Sequence, residues 1–462
     1  MTVTKDSPTP NSDLFEILRA EHEGSWLFDC FVPPVFFEQM MGLRSCVVFG
    51  DPGSGRTALY RVLQRYCEST DKEKIVLVKW KPKPYYSEGD GSTPWINEQI
   101  RILFDACALS VFGKLVEFSD KLKDAPEWVI VRISWFLQNY LLGDALIRLG
   151  PLLDSNESNP ILQKLFDISV TGLFYEMPSP EQAVSELFVG LKFFGIQRIW
   201  VVTDDINSWV TINEDTSTKR GLTTFLSMLS LFENTDLTFK LILPSNLEVG
   251  LSQASGIVRR RLEKYKLNWD LDSLRLIVEK RLALLLQKEK FALRDLCNDE
   301  DFENWLFHFG GYEPRQWLEL AAPFIQHYQN MNPRKPLDAK TSKELRLNHP
   351  PRFYLDDTEY RVKIGGRVIP LNDLPPKVYT LLTYLYRHAG EVISKDKLYY
   401  LADQGLDSIP AKGDKNYIDP IVYSGQIDTN IYRLRQVIEP DPKNPIILQT
   451  ERGYGVRLAI RL

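Results

Sequence analysis

Cysteine and histidine are scarce, five of each in 462 residues. Cys30, Cys46, Cys67, Cys107 and Cys297 are far apart and form no CxxC, and the histidines form no HExxH or HxxxH. A disulfide framework and a structural zinc site are thereby excluded; reduced core thiols in a cytoplasmic protein are the expectation. No run approaches the roughly 18 uninterrupted apolar residues of a membrane span. The opening MTVTKDSPTPNSD lacks the apolar stretch of an export signal. Internal repeats and low-complexity tracts are absent too. What is present, 44% hydrophobic and 25% charged residues, suffices for real cores over two or three domains. Net charge is −5 but uneven: from Leu345 onward 17 Lys and Arg face 14 Asp and Glu, against 39 and 47 before it. An acidic body with a mildly basic tail permits nucleic-acid binding by the tail without requiring it.

After an N-terminal segment, residues 1–30, three blocks follow. Residues 31–270 alternate short apolar runs with helix-length segments: Ser45–Gly50, Ile75–Trp80, Ile199–Thr203, Phe239–Pro244 and Tyr265–Trp269. That alternation predicts a parallel α/β sheet, interrupted by a helical insertion over Thr93–Gly195. Residues 271–330 read as helices, with Gly310-Gly311 separating the last two and Pro314 suited to a first helical turn. A polar, proline-rich stretch, 331–350, reads as a linker. Residues 351–462 form a module of their own.

Gly50-Asp-Pro-Gly-Ser-Gly-Arg-Thr57 follows an apolar run and opens a helix with Leu59, Val62, Leu63 and Tyr66 on one face. Strand, glycine loop and helix in this order make a phosphate-binding loop. The glycines at 50, 53 and 55 let backbone N–H groups converge on an anion, and the helix N-terminus adds its positive dipole end. Pro52, Ser54 and Ala58 complete the cradle, and Thr57 stands where a hydroxyl binds Mg²⁺. Arg56 replaces the usual lysine and presents a bulkier planar fork, so weak or absent ATP hydrolysis is expected. Asp204 and Asp205 end the run IWVVT. If that strand lies next to the loop's strand, Asp204 holds Mg²⁺ and Asp205 polarises a catalytic water. Ser245 and Asn246 end another run and suit a phosphate sensor or a plain turn. Arg259, Arg260 and Arg261 suit an arginine finger or a solvated basic face, and Arg315 opens a helix from which it can report on nucleotide.

In this order the motifs GDPGSGRT, VVTDD, ILPSN and GYEPR resemble the AAA+/STAND branch of P-loop NTPases. The resemblance implies a parallel sheet with a helical lid, ATP or ADP with Mg²⁺, and a nucleotide-gated switch. It is specific at the first two motifs and looser at the others.

The C-terminal module shows Val378, Leu381, Leu382 and Leu385 on one helical face, a second short helix at ISKDKLYYLA, and a third with Ile427, Ile431, Leu434 and Ile438 in a stripe. Two strands, IILQTE and GVRLAI, meet at Arg452-Gly453-Tyr454-Gly455. Three helices and a hairpin wing in this pattern closely resemble the winged-helix DNA-binding domain of OmpR/PhoB-type response regulators. The resemblance implies double-stranded DNA as partner, with Thr429, Asn430 and Arg433 at base edges, Arg435 and Lys443 near phosphates and Arg452 in the minor groove. Gly425 stands where the family often has a basic residue, and the connection 403–423, which in the family can touch RNA polymerase, is long. Together the two resemblances predict a cytoplasmic transcriptional regulator, possible as a homo-oligomer. The alternative is a non-catalytic nucleotide-binding scaffold, or an initiator-like subunit of a defence or mobile-element complex, using the winged helix for protein contacts.

Overall fold

The computed structural model describes residues 14–15, 18–69, 74–83, 93–153, 164–170, 172–174, 176–203, 226, 229–248 and 262–461. They fall into two compact units, Pro33–Asn268, and Met1–Val32 with Trp269–Leu462.

In the first unit β1 (Cys46–Gly50), β2 (Ile75–Lys79), β3 (Arg198–Thr203), β4 (Leu237–Pro244) and β5 (Glu263–Lys266) form one parallel sheet in the order β2-β3-β4-β1-β5. β1 and β4 are buried along their whole length, which is why their sequences are continuous apolar runs rather than alternating ones. Two sequence expectations are corrected here. The last strand is the polar segment EKYK, half-buried and exposed by turns, rather than Tyr265–Trp269; it lies at the sheet edge, where no apolar run is needed. The strand IWVVT is not beside the phosphate-loop strand. β4, buried over all 8 of its residues, takes the place between β1 and β3.

α1 (Arg56–Glu68) buries Leu59, Leu63 and Cys67, while Tyr66 stacks on Trp200 of β3 at 5.7 Å. The insertion is helical: α2 (Thr93–Val116), α3 (Glu127–Tyr140) and α4 (Pro180–Leu191). Ser179 and Gln182 form a capping box that starts α4. Gly190 lets α4 approach α3 closely, since a Cβ there would meet Ile133 at 2.9 Å.

The second unit contains α5 (Leu271–Leu285), α6 (Phe302–Gly310), α7 (Pro314–Asn330) and α8 (Ala339–Asn348). The segment expected as a linker, 331–350, is therefore packed structure. Asp338 caps α8 by accepting from the Thr341 N–H at 2.8 Å, Ser342 is buried, and Arg346 pairs with Asp299 at 2.5 Å. The N-terminal segment joins the same unit. Arg281 of α5, buried, donates to Leu14 O at 3.0 Å and to Glu23 at 2.7 Å, and lies over Trp26.

An antiparallel sheet that the sequence reading missed follows: β6 (Phe353–Asp356), β7 (Arg361–Ile364) and β8 (Arg367–Pro370). Then come α9 (Pro376–Arg387), β9 (Val392–Ile393), the short second helix expected from the sequence, in two helical segments Lys395–Lys397 and Leu398–Asp403, and α10 (Pro420–Ile438). β10 (Leu448–Glu451) and β11 (Gly455–Leu458) form the hairpin, with β9 as third strand. This is a winged helix.

Glu23 and Arg281 have side chains only 2% and 8% exposed, so removing one partner strands the other. Glu23→Ala is expected to lower the stability of this unit by about 3–5 kcal/mol. Denaturant unfolding followed by tryptophan fluorescence reads this; a loss under about 1 kcal/mol, typical of an exposed pair, would contradict it.

Candidate phosphate loop and nucleic-acid interface

The loop after β1 is shaped by its glycines. Gly50 is paired with Pro244 of β4, and a Cβ on it would meet Ser54 Oγ at 2.5 Å and Arg56 Cγ at 2.9 Å. The Arg56 side chain thus runs back across Gly50, where only glycine leaves it room. Gly53 and Gly55 have φ of +87° and +97°, a region costly for other residues. Ser54 N–H closes the turn on Asp51 O at 3.1 Å, and Leu59 N–H donates to Gly55 O at 2.9 Å. Gly55 is therefore the N-cap of α1, and the N–H groups of Arg56, Thr57 and Ala58 precede the first intrahelical bond. Pro52 is exposed and Thr57 half-buried. The N–H groups at the positive end of a 13-residue helix, behind a turn with two positive-φ glycines, fit a phosphate group.

Two hydroxyls at the C-terminal ends of neighbouring strands, Thr203 Oγ1 of β3 and Ser245 Oγ just after β4, are buried without a hydrogen-bond partner. Asn246 is exposed beside Ser245. Since β4 adjoins β1, Ser245 follows the residue opposite Gly50. Asp204, Asp205, Arg259, Arg260 and Arg261 lie outside the described residues. Arg315, at the start of α7, donates from Nε to Leu18 O at 3.2 Å.

In the winged helix, α10 begins at Pro420, capped by Asp419, and buries Tyr423, Ile427, Asn430, Ile431, Leu434 and Ile438. Its outward face carries Thr429, Tyr432, Arg433 and Gln436, all exposed. Thr429 Oγ1 donates back to Gly425 O at 2.8 Å. Two expected contacts are corrected. Asn430 is only 5% exposed, because it sits three residues after Ile427 and four before Leu434 and so falls within the apolar stripe. It is not placed to reach a base edge. Arg435 is tied down: Nε and Nη2 donate to Leu448 O at 3.0 and 2.7 Å, and Nη2 to Thr450 Oγ1 at 2.6 Å. It holds the wing instead of lying open to a phosphate. Lys443 and Arg452 are exposed, on the loop before the wing and at its turn.

The sequence reading missed Glu439. Its carboxylate, 4% exposed, accepts from the N–H groups of Ile446, Ile447 and Leu448 at 2.9, 2.8 and 2.6 Å. Burial pushes its pKa up, against the pull of those three N–H groups and of Arg435. Arg435 and Glu439, one helical turn apart, thus grip the carbonyl and the N–H of Leu448 and set the base of the wing. Tyr454, 78% exposed at the wing turn, was also passed over. Gly455 behind it lies so close to Ile393 O of β9 that a Cβ would come within 2.0 Å.

Residues 371–458 match the family model described as "Transcriptional regulatory protein, C terminal". This stretch is a domain of that family. Among curated proteins the chain is similar to the sensory transduction protein RegX3 of Mycobacterium leprae, 32% identical over 104 residues, which are 22% of this chain and 44% of that protein. It is also similar to the alkaline phosphatase synthesis transcriptional regulatory protein SphR of Synechococcus elongatus, 36% identical over 100 residues, 22% of this chain and 33% of that protein. The chain spans less than half the length of these two relatives. Among solved structures it resembles Cdc6p of Pyrobaculum aerophilum at 12% identity and a TM-score of 0.37, covering 98% of this chain and 94% of that one. No helix among the described residues is long and apolar enough to cross a membrane.

Glu439→Gln keeps the shape but turns one acceptor into a donor facing a backbone N–H, so a buried bond is lost. It is expected to destabilise the winged helix by about 1–3 kcal/mol and to speed amide exchange at Ile446–Leu448. Unchanged exchange at these three amides would show that the carboxylate does not hold the wing.

Proposed function

We propose that this chain is a nucleotide-binding transcriptional regulator, whose C-terminal winged helix binds double-stranded DNA in a manner set by ATP or ADP at residues 50–58. The observation that carries the reading is the presence, in one chain, of a phosphate loop of fitting geometry and a transcriptional-regulator domain with an exposed recognition face. At the loop, the N–H groups at the start of α1 would bind the phosphates and Arg56 would add a cation across Gly50. Mg²⁺, when bound, neutralises phosphate charge; Thr57 and Asp204 would hold it and Asp205 would orient water, across β4, which separates the strand before Asp204 from the phosphate-loop strand. Ser245 and Arg315 are the candidate sensors of the bound state, as in a STAND-type switch. On DNA, Thr429 and Arg433 read bases, Lys443 meets phosphate and Arg452 enters the minor groove. Contact of 403–423 with RNA polymerase and self-association belong to the same reading.

Gel shifts on random and upstream DNA with ATP, with ADP and without nucleotide test the reading; a mobility difference between nucleotide states is expected. Arg433→Ala should cost about 1–3 kcal/mol at one base pair and relax the preference there. Thr57→Ala should weaken Mg²⁺-nucleotide binding by calorimetry, and Arg56→Lys should raise a turnover that is well under about 1 s⁻¹ in the wild type. If no duplex binds at low salt in any nucleotide state, the scaffold reading, which the nearly balanced charge of the tail favours, replaces this one.

A further inference from the structure

A cleft of about 1160 Å³ lies between the helical block and the wing. One wall carries Trp305 of α6 with Lys343 and Arg346 of α8; the other carries Arg435, Lys443 and Arg452. Both walls belong to one compact unit and are joined by a tight seam. Gly366 N–H donates to Phe309 O at 2.8 Å, Lys363 pairs with Glu313 at 3.0 Å, and Arg352 with Glu319 at 3.3 Å.

Most of the acids lining the cleft are engaged. Asp299 is paired with Arg346, Glu451 with Arg457, and Asp441 accepts from the Lys443 and Asn444 nitrogens. Asp301 is exposed, and its field falls on Arg346. Lys343 and Arg452 are exposed and have no ion pair among the described residues, and Lys443, also exposed, lies in the field of Asp441. The Arg346 guanidinium lies over the Trp305 ring at 5.5 Å, and Arg346 Nε and Trp305 Nε1 are both buried without an acceptor. A groove with exposed cations on both walls, Lys343 on one and Lys443 and Arg452 on the other, suits an anion that is long and continuous with the wing.

We infer that this cleft takes the phosphodiester backbone of the duplex held by the winged helix, so that Lys343 of the helical block is a DNA phosphate contact. The inference rests on the DNA-binding reading above and extends the footprint beyond the winged helix. A backbone contact gives every sequence the same benefit and shows in the salt dependence, because each neutralised phosphate releases counterions.

The test uses the full chain and a long random-sequence duplex, with binding followed by fluorescence anisotropy over a salt series. Lys343→Ala should reduce the slope of log K against log salt by about one, equally on random and preferred sequences, and Lys343→Glu should reduce binding further. Both substitutions are at an exposed position, so folding is not at stake. If wild type binds and neither variant changes the slope, or if Lys343→Glu tightens binding, the cleft is not a phosphate groove and the winged helix remains a DNA binder. A loss confined to one preferred sequence would likewise overturn it, as base readout. If wild type binds no duplex at low salt, this inference and the DNA-binding reading both fall.

Discussion

Two backbone carbonyls, Phe309 O and Gly310 O, meet the turn Gly365-Gly366 so closely that a Cβ on either glycine would come within 2.2 Å of one of them. This contact decides what kind of module the winged helix is. With any side chain there the helical block and β7–β8 would separate, and the pairs around the seam would lose their geometry. Arg367 Nη1 lies 2.9 Å from His308 Nε2, whose pKa burial and the neighbouring guanidinium hold down to about 4. The imidazole is therefore neutral near pH 7 and able to accept that N–H. The winged helix is fixed to the helices before it, not hung on a tether, and surfaces from both can act on one partner.

The recognition surface depends on a second constraint, the grip of α10 on the wing. Arg435 and Glu439 spend their charge on the backbone of residues 446–450, where unmet N–H and C=O groups would be costly beneath the hairpin. What remains outward on the second half of α10 is Thr429, Tyr432, Arg433 and Gln436, beside Asp428, which pairs with Lys395. A winged helix with one exposed arginine on its recognition helix has to gain affinity elsewhere. Further exposed cations near the wing are Lys443, Arg452 and, across the cleft, Lys343.

The parts legible in the sequence were those governed by strong local patterns. β1 and β4 are continuous apolar runs because both faces are covered, and the phosphate loop announces itself by glycines at positions that need positive φ. Tertiary placement hid the rest. EKYK pairs with β1 only as an edge, so no apolar run marks it. The order that puts β4 between β1 and β3 depends on crossovers that periodicity does not encode. The segment 331–350 reads as a spacer because α8 is a polar helix, held mainly by the cap at Asp338 and the ion pair of Arg346. The burial of Asn430 was available from its spacing to Ile427 and Leu434, but its residue type drew the reading toward a base contact. Glu439 gave no such signal: its three acceptor bonds exist only once the chain returns at Ile446.

The unit Pro33–Asn268 is inserted within the other, so the covalent links between them are two, at Val32–Pro33 and at Asn268–Trp269. Both lead to α5. Lys280 Nζ of α5 donates to Phe31 O at 3.0 Å next to the first crossing, and Asp270 caps α5 just after the second by accepting from Ser273 N–H at 2.7 Å. On the other side of the second crossing, Leu267 N–H donates to Phe49 O at 2.7 Å, and its side chain touches the space beside Gly50. Leu267, bonded to the phosphate-loop strand, therefore stands three residues before Asp270, the cap of α5. α5 packs on α7, α7 follows the Gly310-Gly311 turn, and that turn is the seam on which the winged helix sits. Each step is a packed or hydrogen-bonded contact within one unit or a peptide bond between the two.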